Sequence, residues 1–274
     1  MKMAKKRLDI LLVELGLVAT RQKAQALIMA GGVIANDKPA EKAGALFDEN
    51  AEIRLRSEPS KYVSRGGDKL EGALNAFGLS VEGLDALDAG ASTGGFTDCL
   101  LQRGARSVCA LDVGYGQLAS QLRTDPRVTV FEKMNARFLT PDDFKFKFDI
   151  ITIDVSFISL TKPLPALAKL LNSNGAMVAL LKPQFEAGRD RIGKGGVVRD
   201  AATHESVIRE VIAAAAEIGL HTVSIVHSPL KGPKGNIEFF LLFKFDRITS
   251  PETDPSVAVK RAHEELNKKP SLDT

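Results

Sequence analysis

Apolar positions along this chain predict two units of different character. In the first, Leu8, Leu11, Leu12 and Leu15 stand at helical spacing, and Gly16 can end that helix. Thr20 is a suitable N-cap for a second helix, Arg21 to Ala30, which stops at Gly31-Gly32. Val33-Ile34-Ala35 reads as a short strand, Asn36-Asp37 as a turn, and Ile53-Arg54-Leu55 as another strand. These pieces make a small α+β module over residues 1–60 with a limited core. From Arg56 to Arg65 the chain is polar and contains Pro59, which predicts a linker. Residues 61–83 are read as the rest of that linker and an entry helix.

The second unit, 84–246, alternates apolar runs with helical patterns. The runs are Leu84–Leu87, Val108–Leu111, Val128–Phe131, Ile150–Ile153, Met177–Leu181, Val223–Val226 and Ile237–Phe245. Helical patterns lie at Thr97–Arg103, Lys162–Leu171 and Thr203–Ile218. Such alternation predicts an α/β fold with a mostly parallel, doubly wound sheet. Between the last two runs there is no room for a crossover helix, so the seventh strand should be antiparallel. Residues 247–274 carry Ser250, Pro251, Pro255 and a charged segment, and read as a polar tail, a linker with one exposed helix or disorder.

Charge adds one point. Residues 1–64 hold 11 Lys or Arg against 8 Asp or Glu, while the remainder holds 26 of each. The excess of +3 therefore belongs to the first unit, a hint of a polyanionic partner. Cys99 and Cys109 form no CxxC pair, so neither a zinc site nor a disulfide framework is expected, in keeping with a reducing cytoplasm. No metal site is expected elsewhere. Asp9 and Glu14 interrupt the apolar stretch Leu8–Val18, which argues against a signal peptide. No run approaches the roughly 20 apolar residues that span a bilayer.

A glycine-rich turn, Asp88-Ala-Gly-Ala-Ser-Thr-Gly-Gly-Phe96, follows the first strand of the sheet and precedes a helix. Gly90, Gly94 and Gly95 let backbone approach a ligand, and the helix start offers free N–H groups. Asp88, Ser92, Thr93 and Phe96 complete the candidate cofactor turn. Asp112 ends the second strand 24 residues after Asp88, where a carboxylate can bind ribose hydroxyls. Asn135 follows the third strand and is a candidate adenine contact. The spacing is not G-x-G-x-x-G, so a dinucleotide is the weaker choice; S-adenosylmethionine needs the ribose carboxylate but no pyrophosphate cradle.

These stretches resemble a known family. Residues 84–245 resemble the ribose 2′-O-methyltransferases of the FtsJ type, whose seven-stranded class I methyltransferase sheet ends in an antiparallel strand. The chain as a whole resembles the TlyA family, often labelled hemolysins, which modify ribosomal RNA. The resemblance is carried by Tyr62-Val-Ser-Arg-Gly-Gly-Asp-Lys69-Leu, Asp88 to Phe96, Asp154-Val-Ser-Phe-Ile-Ser, Lys182-Pro-Gln-Phe-Glu, Gly193-Lys-Gly-Gly-Val-Val-Arg-Asp200 and Asn236-Ile-Glu238-Phe. Arg7-Leu-Asp9, Thr20-Arg21-x-x-Ala24 and Gly32-Val-Ile-Ala-Asn36 are similar to the RNA-binding module of ribosomal small-subunit protein four. Ser92-Thr93 departs from the Ala-Pro of the wider FtsJ group.

The resemblance implies S-adenosylmethionine as cofactor, ribosomal RNA or ribosomal subunits as partner, and Lys69, Asp154, Lys182 and Glu238 as the catalytic tetrad. Asp154 is also a cofactor-side candidate. A ribose hydroxyl is a poor nucleophile, so the reaction needs in-line placement and removal of one proton. Lys182 is the candidate base, in its neutral form. Asp154 is expected to hold Lys182, and Glu238 to position Lys69 or the hydroxyl. Basic residues among the glycines of 185–200, Arg189, Arg191, Lys194 and Arg199, are candidate RNA contacts on a flexible loop. Arg7, Arg21 and Lys23 near helix starts, and Arg65 after the linker, are further candidates. Tyr115, like Phe96, is more often a packing residue than a stacking platform. The reading is a cytoplasmic rRNA 2′-O-methyltransferase. Its rivals are a non-catalytic ribosome-binding factor, a pore-forming hemolysin and a nicotinamide dehydrogenase.

Overall fold

The computed structural model describes residues 5–29, 32–36, 38–40, 42–55, 61–193, 195–232, 234–246 and 251–266. The chain divides into two compact units, Met1–Ser60 and Lys61–Thr274. Residues 56–60 of the linker expected at Arg56–Arg65 fall outside the described residues.

In the first unit, helices α1 (Leu8–Glu14) and α2 (Arg21–Met29) lie between short strands β1 (Lys5–Arg7), β2 (Val33–Ala35), β3 (Lys38–Pro39), β4 (Leu46–Asp48) and β5 (Ile53–Leu55). β2 is the centre of an antiparallel β3-β2-β5 sheet, and β1 pairs with β4. Thr20 starts α2, its Oγ1 accepting the Lys23 N–H at 3.2 Å. Leu8, Leu12, Ala24, Ile28 and Val33 form the core. β1 and β4 had no signature in the sequence: β1 is all basic, and in three residues β4, Leu46-Phe47-Asp48, shows no alternation to read. Asn36 turns the chain with φ +49; Asp37 lies outside the described residues.

The second unit opens with α3 (Arg65–Ala76), followed by β6 (Asp85–Ala89), α4 (Gly95–Gln102), β7 (Ser107–Asp112), α5 (Ser120–Arg123), β8 (Val128–Glu132) and β9 (Phe148–Ile153). Then come α6 (Leu164–Leu170), β10 (Leu171–Leu181), α7 (Pro183–Glu186), α8 (Ala201–Glu217), β11 (His221–His227), β12 (Phe239–Lys244) and α9 (Pro255–Leu266). The seven expected strands form one sheet of order β11-β12-β10-β9-β6-β7-β8. All neighbours are parallel except around β12, which runs antiparallel to both β10 and β11.

Period-two alternation sends successive side chains to opposite faces. Ala86, Val108, Ile150, Val178 and Phe240 meet α3 and α4 on one face. Leu87, Leu111, Ile151, Ala179 and Phe239 meet α6, α8 and α9 on the other. Each fully buried Leu, Ile or Phe stabilises by about 1.5–3 kcal/mol. Both faces covered explains why these strands read as continuous apolar runs.

Two boundaries differ from the sequence reading. Tyr62 and Val63 are not linker: Tyr62 is buried in the core beneath Gly67, and the Val63 N–H donates to Asp98 at 2.8 Å. The polar tail is also not free. Pro255, Ala258, Val259 and Ala262 bury one stripe of α9 against the sheet, a helical period diluted there by flanking charges. His204–His263 (3.0 Å) and His227–Glu265 (3.0 Å) add polar ties to that helix. Among the described residues, no helix is long and apolar enough to cross a membrane.

Candidate active site

The carboxyl edge of the parallel strands collects the candidate chemistry. β6 leads into the glycine turn, β7 ends in Asp112, and Asp154 and Lys182 directly follow β9 and β10, where ligand-binding residues stand in open α/β sheets. Gly90 has φ +94, and a side chain there would stand 2.6 Å from the Asp154 carbonyl oxygen. The Asp154 N–H donates to the Ala89 carbonyl at 2.9 Å. The glycine thus lets two strand ends close on each other.

Asp112 is fixed by backbone. Its Oδ2 accepts the Ser92 N–H at 2.8 Å and its Oδ1 the Gly114 N–H at 2.6 Å. Each oxygen keeps a lone pair, and the residue is half-buried, which fits a diol at this edge. Ser92, at φ +50, and Thr93 are exposed, while Gly94 caps α4 in the left-handed region. The turn therefore fits a ribose-bearing cofactor.

Two residues assigned to that turn lie beneath it instead. Phe96 sits in the core, its ring 6.0 Å from that of Phe240, so only its backbone faces the turn. Asp88 is wholly buried and accepts Thr97 Oγ1 at 2.7 Å and Thr152 Oγ1 at 3.1 Å. Burial, together with the negative charge of Asp154, pushes its carboxyl up to about 7. Asn135 uses its side-chain oxygen to cap a short turn, accepting the Arg137 N–H at 3.1 Å.

The four tetrad candidates meet as two lysine–carboxylate pairs. Lys69 projects from α3, and its Nζ lies 2.5 Å from Glu238 Oε2. Glu238 immediately precedes β12, is 1% exposed, and packs against Gly232, where no side chain fits; Lys69 is 12% exposed. Lys182 Nζ lies 2.7 Å from Asp154 Oδ1 and donates to Ser156 Oγ at 2.7 Å. Here the lysine is 11% exposed and the aspartate 25%.

Exposed aromatic rings follow three strand ends. Phe157 is 90% exposed at φ +64, with its ring 5.0 Å from Phe185. Tyr115 is exposed rather than packed, with Lys133 Nζ 4.7 Å from its centroid. Phe138 is exposed beside Arg137. Neither Phe157 nor Phe138 stood out in the sequence. Phe157 carried a signal only as a large ring three residues after Asp154.

The basic loop is less free than its glycines suggest. Asn236 accepts the Val198 N–H at 2.9 Å and donates to the Gly196 carbonyl at 3.0 Å, clasping the loop to the approach of Glu238. The Arg191 guanidinium is engaged by the Ala187 carbonyl (2.7 Å) and Glu210 (2.9 Å), so it serves the fold. Arg199 and Arg65 are exposed. Lys194 and the Arg189 side chain lie outside the described residues. In the first unit, Arg7 and Arg21 converge on buried Asp9 at 3.0 and 2.9 Å, joined by Gln25 at 2.8 Å. The two guanidiniums hold the Asp9 carboxyl well below the usual range. Two cations on one anion leave a net positive charge, and both arginines remain part-exposed; Lys23 is exposed.

Comparison with known proteins gives this geometry its context. An FtsJ-like methyltransferase model matches residues 62–245, and an S4 domain model residues 6–53. The chain is 46% identical over 255 residues to the 16S/23S rRNA (cytidine-2′-O)-methyltransferase TlyA of Mycobacterium tuberculosis, covering 93% of each chain. It is 45% identical over 240 residues to Hemolysin A of Brachyspira hyodysenteriae, covering 86% of this chain and 99% of that one. A solved structure described as a hemolysin from Streptococcus thermophilus shares 45% identity and a TM-score of 0.77, covering 96% of this chain and 98% of that one. The chain belongs to the FtsJ-like methyltransferase family and to its TlyA branch, with an S4 domain ahead of the methyltransferase domain.

Proposed function

We propose that this chain methylates a ribose 2′-hydroxyl of ribosomal RNA, with Lys182 as the base that takes the hydroxyl proton. The observation that carries this reading is the Lys182 amine at the carboxyl edge of the sheet, 2.7 Å from Asp154 Oδ1 and hydrogen-bonded to Ser156 Oγ at 2.7 Å. S-adenosylmethionine, when bound, supplies an activated methyl group. Asp112 would hold its ribose, and Gly90, Ser92, Thr93 and the first N–H groups of α4 would line the rest of the cradle.

The division of labour follows from burial. Lys69 gives one N–H to Glu238 and keeps two more to hold the ribose oxygen in line. Glu238, buried beside it, pairs with that ammonium and fixes its place. Lys182 faces a more open carboxylate and accepts the proton of the same hydroxyl. Exposed Phe157 offers its face to the target base, splayed out of the folded rRNA. Arg65, Arg199 and the Arg7, Arg21 and Lys23 edge of the S4 domain supply phosphate contacts. Such a substrate sets the work of the protein in the cytoplasm.

The test is tritiated methyl transfer from S-adenosylmethionine onto isolated ribosomal subunits and free rRNA. Label on one subunit class, absent with Lys182→Ala, supports the reading. No label on any substrate, with cofactor binding intact, counts against the proposed target.

A further inference from the structure

A lysine base needs more than neutrality: its lone pair must point at the proton it takes. The neutral amine nitrogen has four tetrahedral directions, one bonded to Cε, two carrying N–H and one the lone pair. At Lys182, one of these directions is already occupied: Nζ donates to Ser156 Oγ at 2.7 Å. Asp154 Oδ1 stands 2.7 Å from Nζ as an ion-pair contact but accepts no hydrogen bond.

Asp154 alone cannot set this direction. A carboxylate that receives no N–H leaves the amine free to turn about the Cε–Nζ bond and sweep its lone pair around a cone. An acceptor that takes one N–H confines the lone pair to the two remaining directions, and the negative charge of Asp154 disfavours the one that faces it. Ser156 is well suited to be that acceptor, because a hydroxyl accepts from either form of the lysine without adding a second negative charge. Ser156 is itself exposed, and its neighbour Phe157 occupies the left-handed region at φ +64. That conformation is costly for a phenylalanine, about 1–2 kcal/mol. The bend turns the loop directly after Ser156, and β9 anchors the other end through the Asp154 N–H bond to Ala89.

We propose that Ser156 is a positioning residue for methyl transfer, aiming the Lys182 lone pair at the ribose hydroxyl. The inference rests on the reading of Lys182 as the base. In the step concerned, the ribose O–H bond breaks and a third N–H bond forms on Lys182. Ser156 keeps the N–H bond it held before and neither gains nor loses a proton, while Asp154 stays beside the ammonium that forms.

The test is steady-state methyl transfer with the full-length protein carrying Ser156→Ala, Ser156→Thr or Lys182→Ala. Ser156→Ala should lower kcat about 10- to 100-fold, the range expected when a reacting group is misaimed without being lost. KM for rRNA and cofactor affinity should stay within about twofold of the parent. Ser156→Thr, which restores the hydroxyl, should recover kcat to within about threefold. A purely structural role would not divide kcat from KM or be rescued by one hydroxyl. If Ser156→Ala keeps kcat within threefold while Lys182→Ala is inactive, the positioning role is wrong and the base assignment stands. A loss carried mainly by KM would also overturn it, making Ser156 a substrate contact. If Lys182→Ala keeps near-parent activity, the base reading fails first and this inference with it.

Discussion

The two lysine–carboxylate pairs use the same chemistry in different surroundings, and the difference divides their work. Lys69 and Glu238 come from α3 and the approach to β12, and the carboxylate is sealed at 1% exposure behind Gly232. Lys182 and Asp154 directly follow adjacent strands, and the carboxylate is a quarter exposed. A sealed pair is committed: neither member can lose its partner without leaving a charge in the interior. An open pair is exchangeable, since water can meet Asp154 whenever Lys182 changes state. The sealed pair suits holding a substrate oxygen, and the open pair suits moving a proton.

Removing each lysine should break the symmetry in opposite ways. Lys182→Ala is expected to abolish methyl transfer, at least about a thousandfold, yet to cost about 1 kcal/mol or less in stability. Cofactor affinity should remain within about tenfold, a difference of about 1.4 kcal/mol. Lys69→Ala should also impair transfer, but denaturant unfolding should show a loss of about 3–5 kcal/mol, because Glu238 is left buried and unpaired. Equal stability losses in the two variants would remove the distinction.

Asp88 sharpens the comparison as a sealed carboxylate given hydroxyls instead of a lysine. Its folded-state value is raised to about 7 from an ordinary 3.8. The fold therefore binds a proton more tightly than the unfolded chain. That contribution is fully present below about pH 4 and is lost as pH rises through about 7, on the order of 4 kcal/mol across the window. Urea unfolding from pH 4 to 8 should show this decline in the parent and its loss in Asp88→Asn. Parallel profiles would show that Asp88 is ionised in the fold after all.

The smallest expected effect lies at Phe157, on the open side. Phe157→Ala and Phe157→Gly should each cost about 1–3 kcal/mol of RNA affinity, read as a raised KM. Phe157→Gly should be the more stable of the two, since glycine adopts φ +64 without strain. Unchanged KM in both would remove the ring from the RNA path.

The sequence carried the parallel sheet well because its strands are buried on both faces and read as unbroken apolar runs. It carried β12 through an exclusion, since Pro229 to Asn236 leaves no room for a crossover helix. It missed β1 and β4, too short for any period, and the packing of α9, whose buried positions are masked by charged neighbours. At the site, the motifs supported an expectation for the four ionisable groups and for Asp154 beside Lys182, but left Glu238 between Lys69 and the hydroxyl; only the fold brings Lys69 and Glu238 together across 169 residues. The fate of Arg191 was equally hidden, because Glu210 meets it only once α8 folds back over the loop. Polar residues that serve through geometry, such as Ser156 and Asn236, look ordinary in a sequence even inside a motif.

The most direct test of the account is single-turnover methyl transfer onto ribosomal subunits by the parent, Lys182→Ala and Lys69→Ala, with S-adenosylmethionine affinity measured by calorimetry on the same preparations. The account predicts a 2′-O-methyl product with the parent, none with Lys182→Ala despite near-parent cofactor affinity, and a stability loss confined to Lys69→Ala. Methyl transfer by Lys182→Ala at the parent rate would contradict it.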